Sequence, residues 1–299
     1  MKYIIDTDPG IDDAIAIMLG VRNNLDIVGF TLSSGNIPVE KSEKNLKVIQ
    51  DFLGSNIKMY KGTIENKCNH ETAEYAHGKD GLGYAVFPDN NKRKFEKVSA
   101  EDFIIKASKK YKDDLTLVCF GPLTNLANAI KKDKKLSKRI KHLLIMGATY
   151  DPDSNENYVE FNFNVDPKAA DIVLKEPFDD IKIVTHEVGV KSFIEKDYID
   201  NLRNSNDIVS RFVGLISGKY MEFSKEHYGT IGLGTPDPST IASIINRNVI
   251  KFEPCTINLY TNSNNDTLCD VKLVQNSNIK VSTDFNLEEF RNVFKSTFK

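Results

Sequence analysis

The chain has 299 residues, which is enough for one large α/β domain or two small ones. Hydrophobic residues make up 40% and charged residues 27%, as in ordinary globular proteins, and the formal net charge of -2 favours neither nucleic acid nor an anionic membrane. Asp6 interrupts the apolar start where a signal peptide would lie, and no apolar run approaches the roughly 20 residues of a membrane span. We therefore expect neither a nucleic-acid nor a membrane partner.

Strand-like and helix-like segments alternate along the chain, which predicts βαβ units around a mainly parallel sheet. The predicted strands are 2–5, 27–32, 57–60, 115–120, 142–146 and 181–185. The predicted helices are 12–19, 39–52, 100–111, 122–131, 166–174, two helices within 195–227, and 238–246. Near the C-terminus, we predict antiparallel strands at 250–260, 267–274 and 278–283 and a closing helix at 286–297. The expected fold is a single α/β domain over 1–299: an open, mostly parallel, Rossmann-like sheet with flanking helices and a small antiparallel C-terminal extension.

Four carboxylates fall within eight positions where the first predicted strand meets the first helix. They are Asp6, Asp8, Asp12 and Asp13, in "DTDPGIDD". Such crowding of like charge is unfavourable unless a cation lies among it, and oxygen ligands suit Ca²⁺ or Mg²⁺ better than zinc. Helix capping and the helix dipole account for Asp12 and Asp13 but not for Asp8 as well. A phosphoryl-transfer motif of the form Asp-x-Asp-x-Thr/Val is broken by the turn Pro9-Gly10. The run predicts a metal or polar-ligand site at this edge.

Four further segments carry polar side chains at predicted strand-to-helix edges. Each also has a purely structural interpretation: a turn at Gly35-Asn36, a helix start after Gly121, the outer face of a strand for Glu160 and Asn162, and a helix cap at Asp237. Taken one at a time, these interpretations stay open. The segments are "SSGN" at 33–36, "FGPLTN" at 120–125, "EFNFNVDP" at 160–167 and "TPDPST" at 235–240.

The cysteines and one long polar segment complete the reading of the residues. Cys68, Cys119, Cys255 and Cys269 are scattered and form no CxxC pair, which favours free thiols and a cytoplasmic protein. Residues 61–97 form a glycine-containing polar stretch that is too long for a plain connection and is typical of a functional or disordered loop. Together with 220–235, it has the glycines that closure over a substrate would need.

Taken together and in this order, the motifs strongly resemble the nucleoside hydrolase family, inosine–uridine preferring type, from Lys2 to about Ala242. They are "DTDPGIDDA", "GN", "HGKDGLG", "GPLTNLA", "EFNFNVDPKAA" and the Asp-Pro pair at 237–238. The resemblance implies an enzyme that hydrolyses the N-glycosidic bond of a small-molecule ribonucleoside to ribose and free base and serves nucleoside salvage. It also implies a Ca²⁺ cofactor and a homodimer or homotetramer.

The resemblance also implies roles for individual residues. Ca²⁺ would be held by Asp8, Asp13, Asp237 and the backbone carbonyl of Phe120, where the family usually has threonine. The ribose would be bound by the side chains of Asp12, Asn36, Glu160 and Asn162, with Asp237 also near the substrate. Asp8 would be the general base that takes a proton from the attacking water. The carboxylates would stabilise the positive charge that grows on the ribose.

The sequence departs from the family where the base leaves. Many members have a histidine before the aspartate that is here Asp237, and it is thought to protonate the departing base; here the residue is Pro236. His227 or Tyr228 is the expected substitute, His77 is a second candidate, and His186 is a weaker option. Tyr228 or Phe223 would stack on the base. The family's asparagine for the 5′-hydroxyl falls at about Ser154, where Asn155 and Asn157 are alternatives.

Two other functions stay open at this stage. The change at Pro236 would suit hydrolysis of a modified or unusual N-riboside. It would also suit a catalytically weak protein that binds a nucleoside or ribose. Retention of Asp8 argues against simple binding, because binding does not require a water-activating base, and Asp8→Asn would discriminate the two.

Overall fold

The architecture is given by a computed structural model that describes residues 1–62, 72–87, 93–152 and 158–299. The strands are β1 (Lys2–Thr7), β2 (Ile27–Leu32), β3 (Met59–Lys61), β4 (Leu115–Cys119), β5 (His142–Met146), β6 (Asp180–Val184), β7 (Phe193–Glu195), β8 (Gly232–Gly234), β9 (Ile250–Thr261), β10 (Thr267–Leu273) and β11 (Ile279–Phe285). The helices are α1 (Ile11–Arg22), α2 (Val39–Leu53), α3 (Glu74–His77), α4 (Ala100–Tyr111), α5 (Thr124–Lys132), α6 (Phe161–Val165), α7 (Pro167–Lys175), α8 (His186–Lys191), α9 (Lys196–Leu202), α10 (Ile208–Tyr228), α11 (Pro236–Ile245) and α12 (Leu287–Thr297).

A nine-stranded sheet in the order β10-β9-β11-β6-β5-β4-β1-β2-β3 organises these elements. From β6 to β3 every neighbouring pair is parallel, and β9 pairs antiparallel with both β10 and β11. The predicted fold class, a mostly parallel open α/β sheet with a small antiparallel part, is confirmed.

One C-terminal strand differs from the prediction. Segment 278–283 was expected to belong to a purely antiparallel extension, but β11 pairs parallel with β6 as well as antiparallel with β9. The extension is therefore continuous with the main sheet. A strand in this position has both backbone edges paired, so its N–H and C=O groups are satisfied on each side.

Both faces of the parallel strands are covered, which explains their near-continuous apolar sequences. Successive residues point to opposite faces: Ile4 packs in a core with α4, α5 and α7, whereas Ile5 packs in a core with α1, α10 and α11. Helix α1 lies in the second core, and all residues from Ile11 to Gly20 are buried. Asp12 and Asp13 are therefore held within the protein interior and not on a solvated helix face.

Five short elements were not predicted from the sequence. They are helices α3, α6 and α8 and strands β7 and β8, and their three to six residues are too few to show a hydrophobic period. The described cysteines, Cys119, Cys255 and Cys269, are unpaired, and Cys68 lies outside the described residues. Of the helices in the described ranges, none is long and apolar enough to cross a membrane.

Candidate active site

The segments after β1, β2, β4, β5 and β6 converge at the carboxyl edge of the sheet, where they surround a cavity of about 260 Å³. Parallel neighbours end at the same edge, so residues that follow them meet there although they are far apart in sequence. Eight of the site residues expected from the sequence line the cavity: Asp12, Asn36, His77, Phe120, Glu160, Asn162, Tyr228 and Asp237.

Asp13 lies behind this lining and organises the turn between β1 and α1. Its Oδ1 accepts hydrogen bonds from Thr7 Oγ1 at 2.5 Å and the Asp8 amide at 3.3 Å. Its Oδ2 accepts from the Gly10 amide and from Asn36 Nδ2, both at 3.0 Å. A carboxylate that accepts from four donors is fixed in orientation.

Asp8 also lies behind the lining, and it is completely buried between two glycines. Its Oδ2 accepts from the Asn36 amide at 2.8 Å, whereas its Oδ1 has no hydrogen-bond partner among the described residues. A Cβ on Gly35 or Gly121 would lie 2.4 Å from one of its carboxylate oxygens. The close approach of both loops to Asp8 therefore requires glycine at these two positions. The unpartnered Oδ1 is a costly feature unless a further group binds it.

Three buried carboxylates cluster where Asp12 and Asp237 line the cavity and Asp13 lies behind them. Oxygen atoms of Asp12, Asp13 and Asp237 lie within 4.8 Å of one another. Asp12 Oδ2 accepts a hydrogen bond from Tyr220 Oη at 3.4 Å, and the Asp237 carboxylate accepts none from a described residue. Asp8 is not one of these three, although the sequence resemblance placed it, and not Asp12, beside the cation.

Burial raises the pKa values of all these acids, and the charges of neighbouring carboxylates add to the rise at Asp8, Asp13 and Asp237. Burial is the main cause at Asp12 and Asp13, whose pKa values rise to about 6. Burial and then the charge of Asp13 raise the pKa of Asp8, and burial and then Asp12 raise that of Asp237. No lysine or arginine is among the described residues that line the cavity. The donor set is thus all oxygen and lacks a protein cation, which fits a hard divalent ion.

Glu160 and Asn162 lie on a short helix, so the strand interpretation of "EFNFNVDP" is wrong. Glu160 is the N-cap of α6, and its carboxylate accepts from the amides of Asn162, Phe163 and Ala148 at 2.8 to 3.2 Å. These bonds replace the strand ladder that the alternation seemed to predict. Burial raises the pKa of Glu160 to about 7. Asn162 Nδ2 donates to the Phe120 carbonyl at 2.5 Å, which orients that carbonyl at the cavity.

The opposite end of the cavity is aromatic. Phe223 and Tyr228, both expected to contact a base, line it on α10, and Tyr75 and Tyr158 join them. Tyr220, which the sequence reading missed, lines the cavity as well and reaches Asp12. Its spacing of three residues from Phe223 puts both on one face of α10, and that spacing is the signal that identifies it in the sequence.

The histidines are divided among three places. His77 is buried beside the acids, where its Nδ1 accepts from the Ile11 amide at 3.1 Å and lies 3.7 Å from Asp12 Oδ1. His186 lines the cavity at the aromatic end. The structure does not bring His227 into this cavity: it is exposed and borders a neighbouring groove, because its position on α10 turns it outward. Ser154, Asn155 and Asn157 lie outside the described residues.

Comparison with known proteins identifies relatives over nearly the whole chain. The family model described as inosine-uridine preferring nucleoside hydrolase matches residues 3–292. A protein named probable uridine nucleosidase 2 from Arabidopsis thaliana is 33% identical over 249 residues, which cover 80% of this chain and 76% of that protein.

Two solved structures share the fold. The plant nucleoside hydrolase PpNRh1 superposes with a TM-score of 0.89 at 25% identity, covering 99% of this chain and 98% of that one. A purine-preferring ribonucleoside hydrolase from Gardnerella vaginalis superposes with a TM-score of 0.88 at 28% identity, covering 100% and 98%.

Proposed function

Because the chain belongs to the inosine-uridine preferring nucleoside hydrolase family, whose members cleave N-ribosyl bonds, we propose that it hydrolyses ribonucleosides to ribose and free base in a Ca²⁺-dependent reaction. The observation that carries the proposal is the buried cluster of Asp12, Asp13 and Asp237 at a cavity whose described lining has no lysine or arginine. A nucleoside salvage role follows from the products.

Ca²⁺ would be held by Asp8, Asp13, Asp237 and the backbone carbonyl of Phe120. The unpartnered Asp8 Oδ1 and the unbonded Asp237 carboxylate support this set, and the hydrogen bond from Asn162 orients the Phe120 carbonyl. Asp12 is a competing ligand, because one of its carboxylate oxygens lies within 4.8 Å of oxygen atoms of both Asp13 and Asp237. When bound, Ca²⁺ would supply the positive charge that offsets the acids, bind ribose hydroxyls and lower the pKa of a water molecule.

The residues that line the acidic end would bind the ribose. Asp12, Asp237 and Glu160 present carboxylate oxygens, and the Oδ1 atoms of Asn36 and Asn162 accept no hydrogen bond from a described residue. As the glycosidic bond lengthens, positive charge develops on the ribose ring. Fixed carboxylate and amide oxygens stabilise this charge where it appears, which lowers the barrier without reorganisation.

Asp8 would take the proton from the attacking water. One observation supports the assignment: its Oδ1 has no hydrogen-bond partner among the described residues. Its Oδ2 is held by the Asn36 amide, so the carboxylate cannot rotate freely.

Ribose release from a panel of inosine, uridine, cytidine, adenosine and guanosine, with 2′-deoxyuridine as control, tests the proposal. We expect release from ribonucleosides only, loss of release with a strong Ca²⁺ chelator, and recovery on adding Ca²⁺. Asp8→Asn should abolish turnover while calorimetry still detects Ca²⁺ binding, whereas Asp13→Asn should weaken binding itself. No release from any ribonucleoside by protein shown to contain Ca²⁺ would exclude this function.

A second candidate is hydrolysis of a modified or unusual N-riboside by the same site. It rests on Pro236, which lines the cavity and has no proton to give to a departing base. A substrate whose leaving group needs no protonation would suit that change. Release from such a riboside, with none from the ordinary five, would favour it.

The remaining assignments concern the protein as a whole. We propose a single domain over 1–299, supported by the one continuous sheet to which both terminal thirds contribute. A cytoplasmic homodimer or homotetramer is proposed from the resemblance, and the free thiols of Cys119, Cys255 and Cys269 are compatible with a reducing compartment. Light scattering coupled to size exclusion would measure the oligomer.

A further inference from the structure

Cleavage of an N-glycosidic bond leaves an electron pair, and negative charge, on the departing base. The acidic end of the cavity cannot stabilise this negative charge, because the carboxylates of Asp12, Asp237 and Glu160 are hydrogen-bond acceptors that repel it. A hydrogen-bond donor directed at the base must therefore come from the aromatic end, opposite the ribose.

The donors at the aromatic end are few. The side chains there that carry a donor are Tyr75, Tyr158, Tyr228 and His186. His77 lies at the acidic end, where Ile11 and Asp12 hold it. His186 is the candidate among the donors at the aromatic end, because its imidazole nitrogens have no hydrogen-bond partner among the described residues and its side chain also borders the adjoining groove.

The position of His186 is fixed by packing. Its ring stacks on Tyr158 with centroids 4.1 Å apart and planes 15° apart, and it lies 5.6 Å from the ring of Tyr228. One turn later on α8, Gly189 lies against Pro236: a Cβ there would be 3.0 Å from the proline Cβ. Since residues three apart share a helix face, His186 lies beside the start of α11, which carries Asp237.

We propose that His186 donates the hydrogen bond that stabilises the departing base. The proposal rests on the proposed function and assigns the leaving-group contact of the same reaction. The bond from C1′ to the base nitrogen breaks, and its electron pair stays on that nitrogen. The water oxygen bonds to C1′ and gives its proton to Asp8. The base leaves hydrogen-bonded to His186 N–H and takes its proton from solvent, which enters through the adjoining groove that His186 also lines.

A neutral ring suits this role. Burial lowers the pKa of His186 to about 4, so at pH 7 the imidazole carries one N–H and no charge. A positive ring would oppose the positive charge that develops on the ribose, whereas a neutral donor stabilises the base without that penalty. The contact strengthens only as charge develops, so its loss should lower kcat and leave KM nearly unchanged.

Comparing two leaving groups tests the proposal. His186→Phe keeps a ring to stack on Tyr158 but removes the donor, and His186→Gln restores an N–H. We expect His186→Phe to lower kcat for uridine and inosine by about 10²-fold, the cost of losing one such donor. With 4-nitrophenyl riboside, whose leaving group is stable as an anion, kcat should change less than about threefold. His186→Gln should recover part of the loss.

His142→Gln, a change of another histidine distant from the cavity on β5, is the matched control and should leave both substrates unaffected. Ribose binding, measured by calorimetry, should be the same in wild type and His186→Phe. Equal loss on both leaving groups would mean a structural role and would overturn the proposal, as would selective loss in His77→Phe or His227→Phe but not in His186→Phe. If the wild type releases no ribose from any ribonucleoside, the proposed function fails and this proposal with it. If the wild type is active but His186→Phe leaves the ratio of kcat for uridine to kcat for 4-nitrophenyl riboside unchanged, only this proposal is overturned.

Discussion

Replacing Asp237 by asparagine should stabilise the protein without Ca²⁺ and remove its stabilisation by Ca²⁺. The Asp237 carboxylate accepts no hydrogen bond from a described residue and lies within 4.8 Å of oxygen atoms of Asp12 and Asp13. Asparagine has nearly the same shape, removes one charge, and offers an amide N–H to the neighbouring carboxylates. The change therefore relieves repulsion in the metal-free protein and takes a ligand from the metal-bound one.

The size of the effect follows from the separation. Two unit charges 4.8 Å apart repel by about 3 kcal/mol at an effective dielectric constant of 20. Wild type can avoid this repulsion only by keeping Asp237 protonated. From an ordinary pKa of 3.8, holding the acid neutral at pH 7.5 costs about 5 kcal/mol, which is more than the repulsion itself. We therefore expect Asp237→Asn to raise the free energy of unfolding in chelator by about 3 kcal/mol at pH 7.5.

The sign of the pH dependence is fixed by the raised pKa of Asp237. The folded protein keeps this proton to a higher pH than the unfolded chain, so the stability contribution is present below 3.8 and is lost as the pH rises through the raised pKa. The advantage of the variant over wild type should accordingly shrink as the pH is lowered. With Ca²⁺ at about 100 times its Kd, wild type should gain about 2.7 kcal/mol and the variant much less.

Urea unfolding of wild type and variant in chelator, at pH 7.5 and at pH 5, measures the stability difference and its pH dependence. The same experiment in Ca²⁺ measures how much the ion stabilises each protein. Asp179→Asn, the same chemical change at an exposed site, is the control and should alter stability by less than about 0.5 kcal/mol. A variant that is less stable than wild type in chelator, or one that Ca²⁺ stabilises as much as wild type, would refute the reasoning.

Three further predictions concern the supports of the site. Gly121→Ala places a Cβ 2.4 Å from Asp8 Oδ1, so it should lower the free energy of unfolding by about 1–3 kcal/mol and weaken Ca²⁺ affinity in calorimetry, whereas Gly20→Ala, with 3.4 Å of clearance, should not. Tyr220→Phe removes the donor to Asp12 and should reduce kcat/KM by about tenfold with little change in stability; an unchanged kcat/KM would exclude a role for this bond. Glu160→Gln loses a charged acceptor of three backbone amides, so urea unfolding should show a loss of about 1–2 kcal/mol, and full stability would contradict the capping assignment.

Local patterns in the sequence were sufficient for most of the secondary structure. Strand β2 and helix α4 begin and end where the sequence predicted, because each is long enough to show its period and is bounded by turn residues. Prediction failed where elements are short or where a side chain competes for the backbone. At Glu160, apolar–polar alternation left a strand as one open interpretation, but the Asn162 and Phe163 amides donate to the carboxylate at the first turn of α6.

The sequence by itself determined the fold class and the acidic loop of the site, because apolar periodicity, turn residues and the run from Asp6 to Asp13 are local properties of the chain. The tertiary structure decided which side chains reach the cavity. It placed Asp8 and Asp13 behind the lining, turned His227 outward and His186 inward, and brought Tyr220 to Asp12 across 208 residues. These outcomes depend on how α8, α10 and α11 pack against the sheet, and packing between distant segments leaves no local period in the sequence.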